Sequence, residues 1–461
     1  MSPTPQQLVE HALATSTADD CIAIVQASSS ANLRWAINTL TTNGTMRGQS
    51  VTVISFVAQA DGIATGSVSS NATTLEQVDA IVAAADAAAR EADVAEDSAE
   101  LVSGAADADW DLEPATTDIR VYDAFAPELG EAFGQASAAD RILYGFVDHE
   151  VVTTYLGSTS GLRRRHAQPT GHYGCTGKTA DLTNSAWVGG ATRDFTEVDA
   201  LALADEVARR LEWGRHRINL HAGHYDTILP PTAVADLMIY ANWEMGARVA
   251  HEGQTVYSKR GGGTRVGEAI ARPEVQFRSD PSYPGLGCLP FALAGTSSNV
   301  ASVFDNGLAL GPTSWIDDGR LEALHQTRHS AGLTGLGVTP AIDNLVLDIS
   351  GAGGSLDDLV AGVERGLLVT CLWYIRQVDP QTLLLTGLTR DGVYLVEHGE
   401  VTGSVNNFRF NESPVDLLSR WSEASATVPT FSREWGDYFS RTAMPALRIP
   451  DFNMSSVSQA M

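Results

Sequence analysis

The chain has 461 residues, 44% of them apolar and 19% charged, which is enough to bury large cores and too many for one ordinary domain, so two domains are expected. Its 56 acidic against 30 basic residues give a formal charge of −26, which is repelled by nucleic-acid phosphates and anionic lipid surfaces and puts both last among expected partners. Four cysteines, Cys21, Cys175, Cys288 and Cys371, lie far apart without CxxC spacing, so neither a zinc ribbon nor a disulfide framework is expected, and a reducing cytoplasm fits best.

Residues 1–10 (MSPTPQQLVE) lack the basic and apolar run of a secretory leader, and nowhere do eighteen uncharged apolar residues occur together, so a soluble, cytoplasmic protein is expected. Residues 1–215 read as an α/β domain of mostly antiparallel sheet with covering helices, in which one pattern occurs twice. In the first copy, strand-like 21–26 (CIAIVQ) leads to 32–42, then to 51–57 (VTVISFV) and to a helix from near Thr74. In the second, 141–146 (RILYGF) leads to 161–165 (GLRRR), to 179–188 and to a helix from near Thr196. Both helices open on a hydroxyl followed by acids or glutamine, Thr73 and Thr74 with Glu76 and Gln77, and Thr196 with Glu197 and Asp199, which can cap free backbone N–H groups. Leu75, Val78, Val82 and Ala85 form one apolar stripe on the first. Duplication and a chance recurrence of β-β-β-α order both account for the pattern. Between the copies, the Ala- and acid-rich 92–111 reads as a solvated linker or mobile segment.

Residues 216–461 read as a β-rich second domain. Strand-like 225–229 (YDTIL) is stopped by Pro230 and Pro231, after which Val234, Leu237, Met238, Ala241 and Met245 follow helical spacing. Short strands punctuated by glycine follow at 344–349, 366–373, 381–387 and 392–397, suiting a closed sheet or sandwich.

Nine segments in order, 225–237 (YDTILPPTAVADL), 253–270 (GQTVYSKRGGGTRVGEAI), 327–331 (TRHSA), 344–347 (NLVL), 355–365 (SLDDLVAGVER), 366–370 (GLLVT), 396–400 (VEHGE), 405–410 (VNNFRF) and 445–449 (PALRI), resemble the TldD/TldE (PmbA) metalloprotease family. The resemblance implies an α+β fold of two domains. It also implies a place to look for zinc, because TldD-type subunits carry an HExxxH motif on the helix after the strand, two histidines one turn apart binding the ion beside a glutamate base. Here that helix reads 237–245 (LMIYANWEM) without a histidine, and the family's late cysteine ligand is missing, Cys371 being the last cysteine. The pattern is similar to the TldE (PmbA) branch. It implies a subunit with no catalytic, cofactor-binding or metal residues of its own, partnered by a TldD-like chain that holds the zinc, and acting on unfolded or small modified peptides.

Other candidate sites give weaker chemistry. His221 and His224, with His216 nearby and Glu244 on the helix, are the material for a substitute metal site, but residues three apart on a strand point to opposite faces. His325 and His329 fall in a segment read as extended, which would hold them about 13 Å apart. His251-Glu252 has no histidine four or five places on, Gly261–Gly263 lacks the Lys-Ser/Thr of a phosphate loop, and Cys371 sits in an apolar strand. Trp373, Tyr374, Trp421, Trp435, Tyr438 and Phe439 crowd the last ninety residues and serve either as core or as peptide-contacting surface. Two alternatives to the partnered subunit therefore stand: a metallopeptidase with a rearranged site, and a stand-alone peptide-binding or scaffold homodimer.

Overall fold

The computed structural model describes residues 3–458. In the N-terminal part, helix α1 (Pro5–Thr15) precedes strands β1 (Asp20–Trp35), β2 (Leu40–Gln59) and β3 (Gly62–Asn71) and helix α2 (Leu75–Glu91). The order then repeats as α3 (Phe125–Ala138), β4 (Arg141–Ser158), β5 (Arg163–Thr179), β6 (Ser185–Thr192) and α4 (Ala200–Trp213). The six strands form one antiparallel sheet in the order β3-β2-β1-β4-β5-β6, so the two three-stranded meanders meet at a β1–β4 seam.

Alternation along the strands decides which layer each side chain joins. Odd-numbered residues such as Cys21, Ala23, Val25, Leu33, Leu143, Val147 and Cys175 pack under the four helices. Even-numbered Ile22, Ile24, Ile54, Phe56 and Leu156 face the other way and join Phe291, Val303 and Phe304 of the C-terminal part. The sheet is therefore the middle layer, with helices on one face and the C-terminal part on the other.

Helix α2 begins where the sequence places it. Thr74 is the N-cap, its hydroxyl accepting from Gln77 N while the Gln77 side chain accepts from Thr74 N. Thr74→Ala removes this reciprocal cap and is expected to cost about 1 kcal/mol, read from the shift of the denaturant midpoint. Of the expected stripe, Val78, Val82 and Ala85 are buried, whereas Leu75 in the first turn is exposed. Helix α4 is a correction: it is capped by Asp199, not Thr196, because Thr196 is spent closing a local turn on Asp194.

The segment 92–111 is not a solvated linker. It lies as a strap across both parts: Ala95, Ala99, Leu101 and Val102 pack on the cluster around Phe56, and Trp110 is buried against Tyr155. Asp97 accepts from Ser297 and Ser302, and Glu96 pairs with Arg248 at 2.8 Å. Its scattered small apolar residues serve two surfaces at once, which no single periodicity records.

The C-terminal part is β-rich, as expected, and among the described residues forms three sheets, where a closed sheet or a sandwich was expected. The largest includes the short β7 (Arg217–Ile218) and β8 (Gly223–Leu229), the latter parallel to Arg365–Val369 and antiparallel to Leu447–Met454. A six-stranded sheet centres on Val275–Ser279 and Leu345–Ile349, and a four-stranded one contains Leu372–Asp379 and Leu384–Thr389. The run 366–373 is thus two strands in different sheets, broken at Thr370 and Cys371. After β8, Pro230 caps and Pro231 opens helix α5 (Pro231–Trp243), which is buried on nearly every side. No helix among the described residues is long and apolar enough to cross a membrane.

Candidate functional site

Beyond Phe304, the even-numbered face of the sheet stands away from the C-terminal part and leaves a cleft of about 590 Å³. The sheet supplies Arg34, Tyr144, Phe146, His172 and Trp187; the opposite wall is Trp373 and the loop carrying Phe431, Arg433 and Asp437. Bare backbone makes room for these rings: a Cβ on Gly189 would come 2.3 Å from the Trp187 ring, and one on Gly436 2.0 Å from the Phe431 ring. His172 stacks on Phe431 with centroids 5.7 Å apart, joining the two walls. A second cavity, of about 210 Å³, lies between 166–171 and 285–288 and is walled by the same loop at Pro429, Thr430, Ser440 and Arg441.

Polar contacts tie the cleft loop to helix α5. The Arg433 guanidinium lies 4.7 Å from the Trp187 ring centroid and 5.3 Å from that of Trp373. It donates to Cys371 Sγ at 2.9 Å and to Asp391 Oδ2 at 3.2 Å, and Asp391 Oδ1 accepts from Ser185 Oγ at 2.6 Å. Next along the loop, Ser432 Oγ donates to Asp236 Oδ1 at 2.5 Å, Glu434 N donates to the same oxygen at 3.1 Å, and Trp435 Nε1 donates to the Asp236 carbonyl at 2.9 Å. Asp236 Oδ2 has no hydrogen-bond partner among the described residues. Burial pushes the Asp236 carboxyl up to about 7 and also raises Glu434 beside it. Burial likewise drives the Cys371 thiol up to about 12, outweighing the nearby Arg433, and the side chain is buried in the core.

The residues weighed as metal ligands are not assembled into a centre. His221 and His224 are exposed; His224 Nδ1 bonds the Asp451 carbonyl at 3.0 Å. Glu244 lies at the far end of α5, at its C-cap, and its carboxyl is raised by burial. Among the described residues no three His, Cys, Asp or Glu side chains are placed to hold a metal ion. The inward polar groups of α5 are Asp236, held by the 432–434 loop, and Asn242, which meets His325 Nε2 at 3.2 Å, so these residues do not fit a zinc centre. The segment holding His325 and His329 is a correction. It is extended only as far as Thr327, which caps a helix at Arg328–Thr334 and puts His329 on it, whereas His325 is buried against Trp315. Gly261, Gly262 and Gly263 form a turn with positive φ, in which Gly261 and Gly262 are exposed.

The late aromatic residues divide between core and exposed or cleft-lining positions. Trp421 and Phe439 are core, and Trp435 packs edge-on against Trp243 and Tyr240. Trp373 faces the cleft, Tyr374 is exposed, and Tyr438, next to Asp437 on the cleft wall, is 77% exposed. The sheet's half of the cleft was missed. Its signal was the alternation of Tyr144, Phe146 and Asp148 with buried Leu143 and Val147, and the interleaving of glycine with aromatics over 171–190.

Residues 222–456 match the profile of the PmbA/TldA metallopeptidase C-terminal domain, and the chain belongs to the TldD/TldE/PmbA family. Its fold is that of TldE from Thermococcus kodakarensis, with a TM-score of 0.76 at 17% identity, covering 97% of this chain and 99% of that one. A candidate modulator of DNA gyrase from Bacteroides thetaiotaomicron superposes with a TM-score of 0.75 at 15% identity, over 98% of each chain. Another from Thermotoga maritima gives 0.75 at 16% identity, covering 94% of this chain and 95% of that one. No curated protein matches the chain in sequence.

Proposed function

We propose that this chain is the non-catalytic, TldE-like subunit of a two-chain zinc peptidase acting on unfolded or small modified peptides. A TldD-like partner would hold the zinc, the activated water and the general base, and this chain would enclose the peptide. On this reading residues 1–215 and 216–461 are its two domains and the cytoplasm its compartment. The carrying observation is helix α5: where the resemblance places the zinc motif, the chain has buried apolar side chains and an aspartate locked to the cleft loop. The aromatic cleft supports peptide contact, because rigid rings offer large contact area at low entropic cost.

The test is co-expression with an HExxxH-bearing family member of the same genome, followed by metal analysis and peptidase assay. The expected result is a stable complex with about one zinc and peptidase activity, and an isolated chain with neither. About one zinc per isolated chain together with peptidase activity overturns the reading.

A further inference from the structure

Strand β3 ends at Asn71, opposite Ser50, so residues 40–49 of β2 pair with β1 on one side and, among the described residues, with no strand on the other. Nearly all of these residues are exposed, Met46 at 66%. Sheet edges are ordinarily blunted by charges, proline, bulges or a covering element. This one carries a single charge, Arg47, no proline, and one register irregularity, at Thr41 beside the hairpin tip, so 42–49 is left unblunted. The absence of acid extends further: residues 21–60 contain Arg34 and Arg47 but not one of the chain's 56 acidic residues.

The tip of the same hairpin adds an independent observation. Ala36 and Thr39 exchange backbone bonds of 3.0 and 3.2 Å around Ile37 and Asn38, both at φ 54°. Asn38 suits that turn and is anchored, Nδ2 donating to the Arg141 carbonyl at 2.8 Å and Oδ1 accepting from Leu143 N at 2.7 Å. Ile37 does not suit it: a β-branched residue there is strained, yet its side chain is 65% exposed and gives the hairpin nothing in return. Arg34 and Ala36, beside it, line the cleft mouth.

We infer that the open edge of β2, with Ile37 at its end, is where the partner subunit adds an extended, carboxylate-bearing strand, extending the sheet at the rim of the cleft. The occupant follows from charge. Arg47 is the one charged residue on this edge, and the acid it acts on, Asp118, is already paired with Arg120 at 2.7 Å, so the edge suits a strand that brings its own acid. A second copy would offer the same acid-free edge. The inference rests on the two-chain reading above.

Hydrogen–deuterium exchange on the isolated chain and on its complex with the co-expressed HExxxH-bearing chain tests it. Amides within 40–49 are expected to exchange rapidly in the isolated chain and to be protected in the complex. Ile37→Asn is expected to raise the Tm of the isolated chain by relieving the turn, while it and Arg47→Glu each weaken the complex about tenfold or more. A complex in which 40–49 exchange as before, or one indifferent to both variants, overturns the inference and leaves the two-chain reading standing. Concentration-dependent protection of 40–49 in the isolated chain also overturns it, in favour of a second copy. No complex at all overturns both.

Discussion

Asp236→Asn is expected to stabilise the chain at pH 8 relative to pH 4.5, by about 2–4 kcal/mol when compared with the parent protein in chemical denaturation. The sign follows from the direction of the shift. The folded carboxyl titrates at about 7, above its ordinary 3.8, so between these values the folded state keeps a proton that the unfolded state has released. Stability from this group therefore falls as pH rises through that window and levels off above 7. Asparagine keeps the oxygen that accepts from Ser432 and Glu434 and removes the buried charge. His325 works in the opposite direction, since burial pushes it down to about 4: its contribution is present above about 6.5 and is lost as pH falls toward 4. It is common to both proteins and cancels in the difference. A difference that does not change with pH would show that Asp236 ionises freely in the fold. Asp236→Ala, by contrast, strips the acceptor from the Ser432 hydroxyl and the Glu434 N–H and is expected to cost about 2–4 kcal/mol at pH 4.5, a cost that shrinks toward pH 8 as the parent loses the contribution of its buried carboxyl.

Phe304→Ala is expected to lose about 3–5 kcal/mol and to divide thermal unfolding into two calorimetric transitions. Phe304 is fully buried, edge-on to Phe56 at 5.1 Å, and is the centre of the apolar contact between the sheet and the C-terminal part. Its backbone carbonyl also accepts from Arg328, which pairs with Asp305 at 2.6 Å. Truncation leaves a cavity where Ile22, Ile24, Ile54 and Leu156 now converge, while the helix-side cores stay intact. Limited proteolysis would then cut the 92–111 strap, which depends on the same junction. A single transition lowered by less than about 1 kcal/mol would show that the strap and the polar contacts hold the two parts without it.

The sequence made legible what depends on neighbours in the chain. The short apolar run 21–26, the Thr74 cap with Gln77, and the proline pair ahead of α5 each specify an element locally, and each is found in place. The twofold β-β-β-α order in residues 1–215 was readable but its strands were not: 21–26 and the start of 32–42 are one strand, β1, the rest of 32–42 spans the hairpin turn into β2, and the third strand, β3, was not placed. What depends on distant partners was not readable. Asp236 sits in an ordinary helical pattern; only Ser432 and Glu434, 196 and 198 residues away, make it a buried, proton-holding group. Trp187, Trp373 and Arg433 come together from three separate segments, so no motif announces the cleft. The break at Thr370 and Cys371 was hidden inside an unbroken apolar run, because the sequence does not show which sheet each half joins.

The β1–β4 seam sets the order in which the molecule can be made. Within each meander the ladders close over hairpins, but across the seam Gln26 meets Thr154, 128 residues later. During synthesis the first hairpin therefore waits, on the order of ten seconds, until β4 has been translated. Throughout that interval both of its edges are open, β1 as well as the far half of β2, on the stretch of chain that lacks acidic gatekeepers. Aggregation of the nascent chain should therefore start from residues 21–60, and slowing translation between β2 and β4 should lower the soluble yield more than slowing it after β6.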